Sequence, residues 1–397
     1  MPLPNLNLTA TVVANGKTYP GWEAIEIWRE FNGLWAYLRL RAIENTDAGG
    51  AAPAFDLEVG DRVVGSLCGQ KVISGWVMTR QVAYDKATHG VEIIVCSYPQ
   101  SLEAGTVTGK PGQYKQQTFQ QIANAVAGQA GVKVKILGSP PGSDLPFARV
   151  SEHIGERMMD FIGRLARWRN LFLCDDEDGN LVATRGQANG GGSAAVATLQ
   201  EGRNIESCRM VMNYQFGVDP LIFQSQQPGS DANNGTAAAQ NAYTYRDPNY
   251  VGPKRPQVIL GDHSGSPAEA KMAMQHTIAD TNIMMWEVVA TVPGWQMDDG
   301  SLWILKMLGQ NGPVPITIKS PMLLPRENGV INNLFVKGVK HAQDNELGTR
   351  TEITCCLQAA LGADQTQFGV GGSPMNPGGD ITPGNSPLGQ GGIGHPQ

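Results

Sequence analysis

Turn-forming residues interrupt this chain too often for long helices to build it. Glycine occupies 49 and proline 25 of its 397 positions, and both residues break regular structure from inside. A helical bundle is excluded. With 41% hydrophobic residues, a chain of this length holds enough apolar material for two to four packed cores. Lys and Arg number 30 against 36 Asp and Glu, a formal charge of -6, with no long run of one sign. Unaided affinity for nucleic acid is not expected, because it requires neutralising phosphates. No stretch of about 18 apolar residues marks a membrane span. The opening Met1-Pro2-Leu3-Pro4-Asn5 lacks the basic and apolar segments of a secretory signal, so synthesis in the cytoplasm is expected. The cysteines at 68, 96, 174, 208, 355 and 356 form no zinc-type pair, and most read as small buried side chains. Cys355 and Cys356 adjoin in a strand-like run, which points them to opposite faces and argues against a bridge between them.

The first hundred residues read as short strands. Ala24–Trp28 and Tyr37–Leu40 flank the turn signal Asn32-Gly33, and further strands are expected at 62–64, 75–79 and 91–96. The period then changes. Phe119, Ile122, Ala123, Val126 and Ala130 recur at helical spacing and stop at Gly131. Ile154, Met158, Phe161, Leu165 and Trp168 predict a second helix, with Arg157, Arg164, Arg167 and Arg169 on its other faces. A hairpin through Asp178-Gly179 follows. Gly190–Ser193 and Gln226–Gln240 read as loops, and apolar strand-like sequence resumes between them at Val211-Met212. Ser266-Pro267-Ala268-Glu269 carries a capping Ser, a first-turn Pro and a Glu at the third helical position, so a helix is expected to about Asp280. Strands are expected again at 286–292, 302–305, 316–318, 334–336 and 351–355.

The fold class expected is mainly β with an α+β insertion. Residues 1–105 read as a first β-rich domain, a barrel or a sandwich, and 106–199 as a small α+β domain. Residues 226–283 read as a loop and helical connection, 284–360 as a second all-β domain, and 361–397 as a flexible Gly/Pro-rich tail. That tail contains 11 Gly and 5 Pro and no Lys, Arg or Glu, and reads as a tether or a segment ordered only by a partner.

Candidate chemistry mostly fails on inspection. Gly261-Asp262-His263-Ser264-Gly265-Ser266-Pro267 resembles a serine-protease stretch, but a His separates the Asp from the Ser, and no motif supplies the paired base and acid. Asp175–Asn180 has the flavour of a calcium loop, yet counting from Asp176 puts Gln187 where an EF-hand closes on an acid, so a hairpin turn with solvated carboxylates is expected. The arginines from 157 to 169 could face phosphate, but read better as the wet side of a helix paired with Glu156 and Asp160. The tryptophans at 22, 28, 35, 76, 168, 286, 295 and 303 are not spaced as a stacking platform and are expected in cores or subunit interfaces. Gly369–Gly372 lacks the Lys and the helix of a phosphate loop. No catalytic, cofactor-binding or metal-binding residues are expected.

Three ordered stretches carry a resemblance. The first is Phe55–Val63, continuing through Gly69–Trp76 to Tyr84–Val91. The second is Phe161–Arg167, then the Asp-Gly hairpin and Leu199–Ile205. The third is Arg255-Pro256 with Val292–Trp295 and Asp299–Trp303. Together they resemble the baseplate hub protein of Mu-like contractile-tailed phages. Where such hubs tend to carry Asp-Leu-Val-Asp, this chain has Ser101-Leu102-Glu103-Ala104-Gly105. The resemblance implies two β-barrels per chain, the first (1–105) completed by about 200–225 beyond the inserted α+β domain 106–199 and the second at 284–360, and a homotrimer whose six barrels form a pseudo-sixfold ring. It implies a structural, non-enzymatic role in the virion tail baseplate, with a tail tube or distal tail protein on one face of the ring and a central spike protein on the other. Tape measure and baseplate wedge proteins would be further partners, and DNA would only pass through. Three copies at -6 leave no basic excess to retain it. Competing readings are a tail-associated hydrolase centred on Ser264, and the hub-like part of a type VI secretion spike or tail-like bacteriocin.

Overall fold

A computed structural model of the chain describes residues 9–19, 21–44, 56–84, 89–108, 113–186, 194–213, 215, 217–225, 241–246, 253–261, 266–323, 330–357 and 382–383. Seven strands open the chain: β1 (Ala10–Ala14), β2 (Lys17–Tyr19), β3 (Ala24–Glu30), β4 (Tyr37–Glu44), β5 (Arg62–Leu67), β6 (Gln70–Tyr84) and β7 (His89–Ser97). Then come α1 (Ser101–Ala104), β8 (Gln113–Tyr114), α2 (Phe119–Ala127), β9 (Val134–Ile136), β10 (Val150–Ser151), α3 (Met158–Arg167), β11 (Phe172–Asp175) and β12 (Leu181–Thr184). The chain continues through β13 (Thr198–Gln200), β14 (Ser207–Met212), β15 (Leu221–Ser225), β16 (Asn241–Tyr245), β17 (Gln257–Leu260) and α4 (Pro267–Met285). It ends with β18 (Trp286–Pro293), β19 (Leu308–Gly309), β20 (Gly312–Pro313), β21 (Pro315–Lys319), β22 (Val330–Asp344), β23 (Gly348–Leu357) and β24 (Thr382–Pro383).

The fold is mainly β with helices set into it. Alternate residues of β1, β3, β5 and β18 are buried, the signature of strands with one face on a core. These strands join one 13-stranded sheet in the order β14-β18-β23-β22-β3-β4-β7-β6-β5-β1-β2, with β21 and β13 branching from β22. Among the described residues the path stays open and traces no closed barrel, and the two β regions, expected as separate units, share one sheet and one core, from Val12 and Leu40 to Val288 and Ile353. The joint is β22. At 15 residues it is far longer than the usual five or six. Its first part pairs with β21 and its later part, Gly338–Gln343, with β3. A register shift lies between Val336 and Gly338. There the Lys337 carbonyl accepts from Phe31 N–H at 2.6 Å, and its ammonium reaches Glu30 on β3 at 2.8 Å and Glu287 on β18 at 3.5 Å. Hydrophobic period shows which face a strand buries, not which partners a long strand divides itself between.

A second core gathers Ile122, Phe161 and Leu165 of α2 and α3, Leu173 and Leu181 of the β11–β12 hairpin, Phe223 and Tyr245 of β15 and β16, and Met274 of α4. A small third cluster, Phe31, Phe172, Ala279, Phe335 and Cys356, ties sheet, hairpin and α4 together. Local signals place the helices. Thr118 with Gln121 and Ser266 with Glu269 form reciprocal capping boxes, and α2 passes into a 3-10 turn, Gly128–Ala130, that ends at Gly131, whose φ is 74°. Helix α4 continues past the expected Asp280 to Met285. Helix α3 starts at Met158 rather than Ile154: Gly155 sits at φ 76°, a turn conformation, and Ile154 is fully exposed. The strand expected at 302–305 is instead a short 3-10 turn, Trp303–Leu305. Its Ile304 N–H donates to His341 Nε2 at 3.2 Å instead of to a neighbouring strand. Cys355 and Cys356 enter different clusters, consistent with opposite faces. The loops expected at 190–193 and 226–240, and the tail apart from 382–383, lie outside the described residues.

Candidate functional site

Two arrangements stand out, a clamp between the two bodies and the open face of the large sheet. The clamp is the acidic turn of the β11–β12 hairpin, whose ladder runs from Phe172↔Thr184 to Asp175↔Leu181. Asp176 closes the turn by accepting from the N–H groups of Asp178 at 3.0 Å and Asn180 at 2.8 Å. This is the local bonding that makes Asp a turn residue. Gly179 sits at φ 76°, and a Cβ there would come within 2.6 Å of the Ser74 carbonyl, so the tip lies flat against β6. Ser74 Oγ donates to the Glu177 carbonyl at 2.9 Å. Asp178 pairs with Lys71, which holds its carboxyl below the ordinary range. Asp176 pairs with Lys135 at 2.7 Å.

At the base of the turn, Arg29 Nε donates to Asp175 Oδ1 at 3.1 Å and its Nη2 to the Val72 carbonyl at 2.9 Å. Both side chains are at most 3% exposed. Burial alone would lower the Arg29 pKa, but the Asp175 carboxylate outweighs it and the net direction is upward. Of the expected solvated carboxylates, Asp175 is therefore buried and Asp176 and Asp178 are engaged by lysines. The signal that could have revealed the clamp is in β3: Arg29 occupies the inward position that Ile25 and Ile27 take before it, and a buried Arg demands a buried acid.

The arginine cluster is likewise consumed internally. Arg157 pairs with Asp160 at 2.7 Å and with Glu103, and Arg164 with Glu156 at 2.9 Å, as the spacing suggested. Arg164 and Arg169 are nevertheless buried, which corrects the wet-face reading. The Arg169 guanidinium lies 3.6 Å from the Phe147 ring centroid and 2.8 Å from Glu269, tying the end of α3 to the first turn of α4. Ser266 caps α4 by accepting from Glu269 N–H at 3.3 Å. Asp262, His263 and Ser264 lie outside the described residues. Among the described residues no group of three or more His, Cys, Asp or Glu is placed to hold a metal ion.

The second arrangement is a row of side chains on the solvent face of the sheet. Directly opposed pairs link Glu352, Lys340, Trp28, Tyr37, Cys96, Trp76 and Arg62 across seven strands. Opposed residues share a face. Trp28 is 38% exposed and meets Tyr37 edge to face at 5.6 Å. Tyr37 donates to Glu26 at 3.1 Å, and burial with the Glu26 charge pushes its phenol up to about 12. Lys340 pairs with Glu26 at 3.1 Å and Arg39 with Glu92 at 2.7 Å, and Arg62 stands 4.8 Å over Trp76. A cavity of about 420 Å³ beside this row is lined by Glu23, Arg41, Glu92, Asp344 and Arg350 among others. An exposed aromatic ringed by charges is the composition of a protein contact rather than of a reaction centre. As expected, most tryptophans are buried, Trp168, Trp286, Trp295 and Trp303 among them.

Residues 102–185 match the family described as baseplate hub protein gp44-like, second domain. Over 348 residues the chain is 24% identical to the baseplate hub protein gp44 of Escherichia phage Mu, covering 82% of this chain and 84% of that protein. The 43 kDa tail protein of prophage MuSo2 from Shewanella oneidensis superposes with a TM-score of 0.71 at 22% identity, over 89% of this chain and 99% of that one. The tail protein of Neisseria meningitidis MC58 gives 0.71 at 18% identity, over 90% and 99%. The chain thus resembles the baseplate hub proteins of Mu-like phages in sequence and shares the fold of phage tail proteins.

Proposed function

We propose that this chain is a structural baseplate hub of a phage tail and not an enzyme. The observation that carries this is its likeness to the Mu hub protein along four-fifths of both chains. The three ordered motif groups and the tail-protein fold support it. Three copies would close into a ring of approximate sixfold symmetry, joining a tail tube to a threefold spike and leaving a passage for tape measure and DNA. The solvent face of the sheet fits such a role. Lys340, Arg39 and Arg350 on or beside it are each paired with a carboxylate, so they offer little uncompensated positive charge to grip phosphates. The clamp supports it too, because a ring needs protomers of fixed shape, and the buried Arg29–Asp175 pair holds the helical body in one orientation on the sheet.

Light scattering with negative-stain imaging tests the reading: a trimer with a hollow axis is expected. A strictly monomeric chain at micromolar concentration that forms no rings overturns it. Clearing of a peptidoglycan or casein gel that disappears in Ser264→Ala would overturn the non-enzymatic half.

A further inference from the structure

The helical body carries a four-stranded sheet, β17-β15-β16-β24, whose two edges are treated differently. One edge strand, β17, pairs only with β15 among the described residues and exposes Val258 and Leu260. The other edge, at β16, is covered by the chain's own C-terminal segment, with Thr382 opposite Thr244 and Pro383 opposite Tyr243. Inward from that edge, Tyr245 and Phe223 belong to the core beneath α4.

An uncovered edge presents a row of backbone donors and acceptors, a template for pairing with foreign strands. A strand carrying Pro is suited to close such an edge. Proline has no N–H to pass to a further strand, so the sheet stops where it is added. The connection is long enough: 24 residues separate Leu357 from Thr382, a reach on the order of 80 Å when extended. The expectation of a tail that is only a tether, or is ordered only by a partner, therefore meets a specific pairing within the chain.

We propose that the C-terminal segment is a built-in edge strand, with Thr382–Pro383 docking in cis on β16 and closing that edge of the sheet. This goes beyond the hub reading and does not depend on it.

Two measurements on the full-length chain test it. In Thr244→Cys with Thr382→Cys, two opposed residues should link under mild oxidation, detected as a joined peptide by mass spectrometry. Co-expression of the two single variants can link only between copies, and no joined peptide is expected there. Hydrogen exchange over Asn241–Arg246 should quicken about tenfold in Thr382→Gly with Pro383→Gly, while the hairpin 172–184 stays unchanged as an internal reference. The proposal requires both the link within one chain and the quickened exchange. Absence of either, or linkage between co-expressed copies, overturns it, whatever ring imaging shows for the hub reading.

Discussion

The hairpin clamp and the solvent face of the large sheet use the same chemistry at opposite depths. At the clamp, Arg29 and Asp175 are almost wholly removed from water, so each is an obligation on the other. On the solvent face, Lys340 and Glu26 keep 30% and 27% of their side-chain surface, and water can replace either partner. Buried charge therefore commits the molecule to one internal geometry. Exposed charge around Trp28 leaves that face free to be completed by something else.

The largest expected break in this contrast is Arg29→Ala, which strands the Asp175 carboxylate in the interior and should cost about 3 to 5 kcal/mol in denaturant unfolding. Arg29→Met with Asp175→Leu should recover most of that loss, because the penalty lies in the unpaired charge. If the single variant is as stable as the parent, the clamp is not what holds the two bodies together.

A buried group that stays neutral sharpens the comparison. His341 donates through Nδ1 to Thr351 Oγ1 at 2.7 Å, Thr351 donates onward to the Gly294 carbonyl at 2.6 Å, and Nε2 accepts from Ile304. Burial lowers its pKa to about 3. In the unfolded chain histidine takes up its proton near pH 6.5, so as pH falls below that value the unfolded state gains a proton that the folded state refuses. Stability that is fully present above about pH 6.5 should then fall by up to about 1.4 kcal/mol per pH unit towards pH 3. The slope should flatten in His341→Gln, read from chemical denaturation at pH 7 and pH 5.

On the solvent face the order of effects reverses. Trp28→Ala should alter unfolding by less than about 1 kcal/mol, yet weaken the ring assembly proposed above by about 2 kcal/mol. Light scattering across a dilution series separates the two quantities. An unchanged assembly midpoint would place the contact elsewhere. The smallest effect belongs to Lys340→Ala, within about 1 kcal/mol and shrinking as salt is added, as expected for an exposed pair. A salt-independent loss would show that face to be less open to water than its exposure indicates.

Much of this was legible because it is local. Ser266 and Glu269 announce a helix start in four residues, Asp178-Gly179 announces a hairpin, and the alternation of β3 and β18 announces a buried face. The misreadings fell where a distant group decides. Leu302–Leu305 has the composition of a strand, but His341 takes the Ile304 N–H. Arg164 and Arg169 look like solvent residues on a helical wheel, but Glu156 and Glu269 draw them inside. The candidate assembly face was least legible of all. Its members come from seven strands scattered between residues 28 and 352, and nothing in the spacing of Trp28, Tyr37 and Trp76 says that they stand in one row.

The amino-acid order alone determined where turns fall, which faces are apolar, where helices begin and what family the chain resembles, since each of these depends on neighbours a few residues apart or on an ordered set of short motifs. Tertiary structure alone decided that the two β regions would merge through β22, that the acidic turn would become a clamp, and that the tail would lend a strand to β16. Those outcomes are choices among partners far apart in the chain. Backbone hydrogen bonds look alike from one strand to the next, so the choice is settled only when packing and charge burial favour one pairing over its rivals.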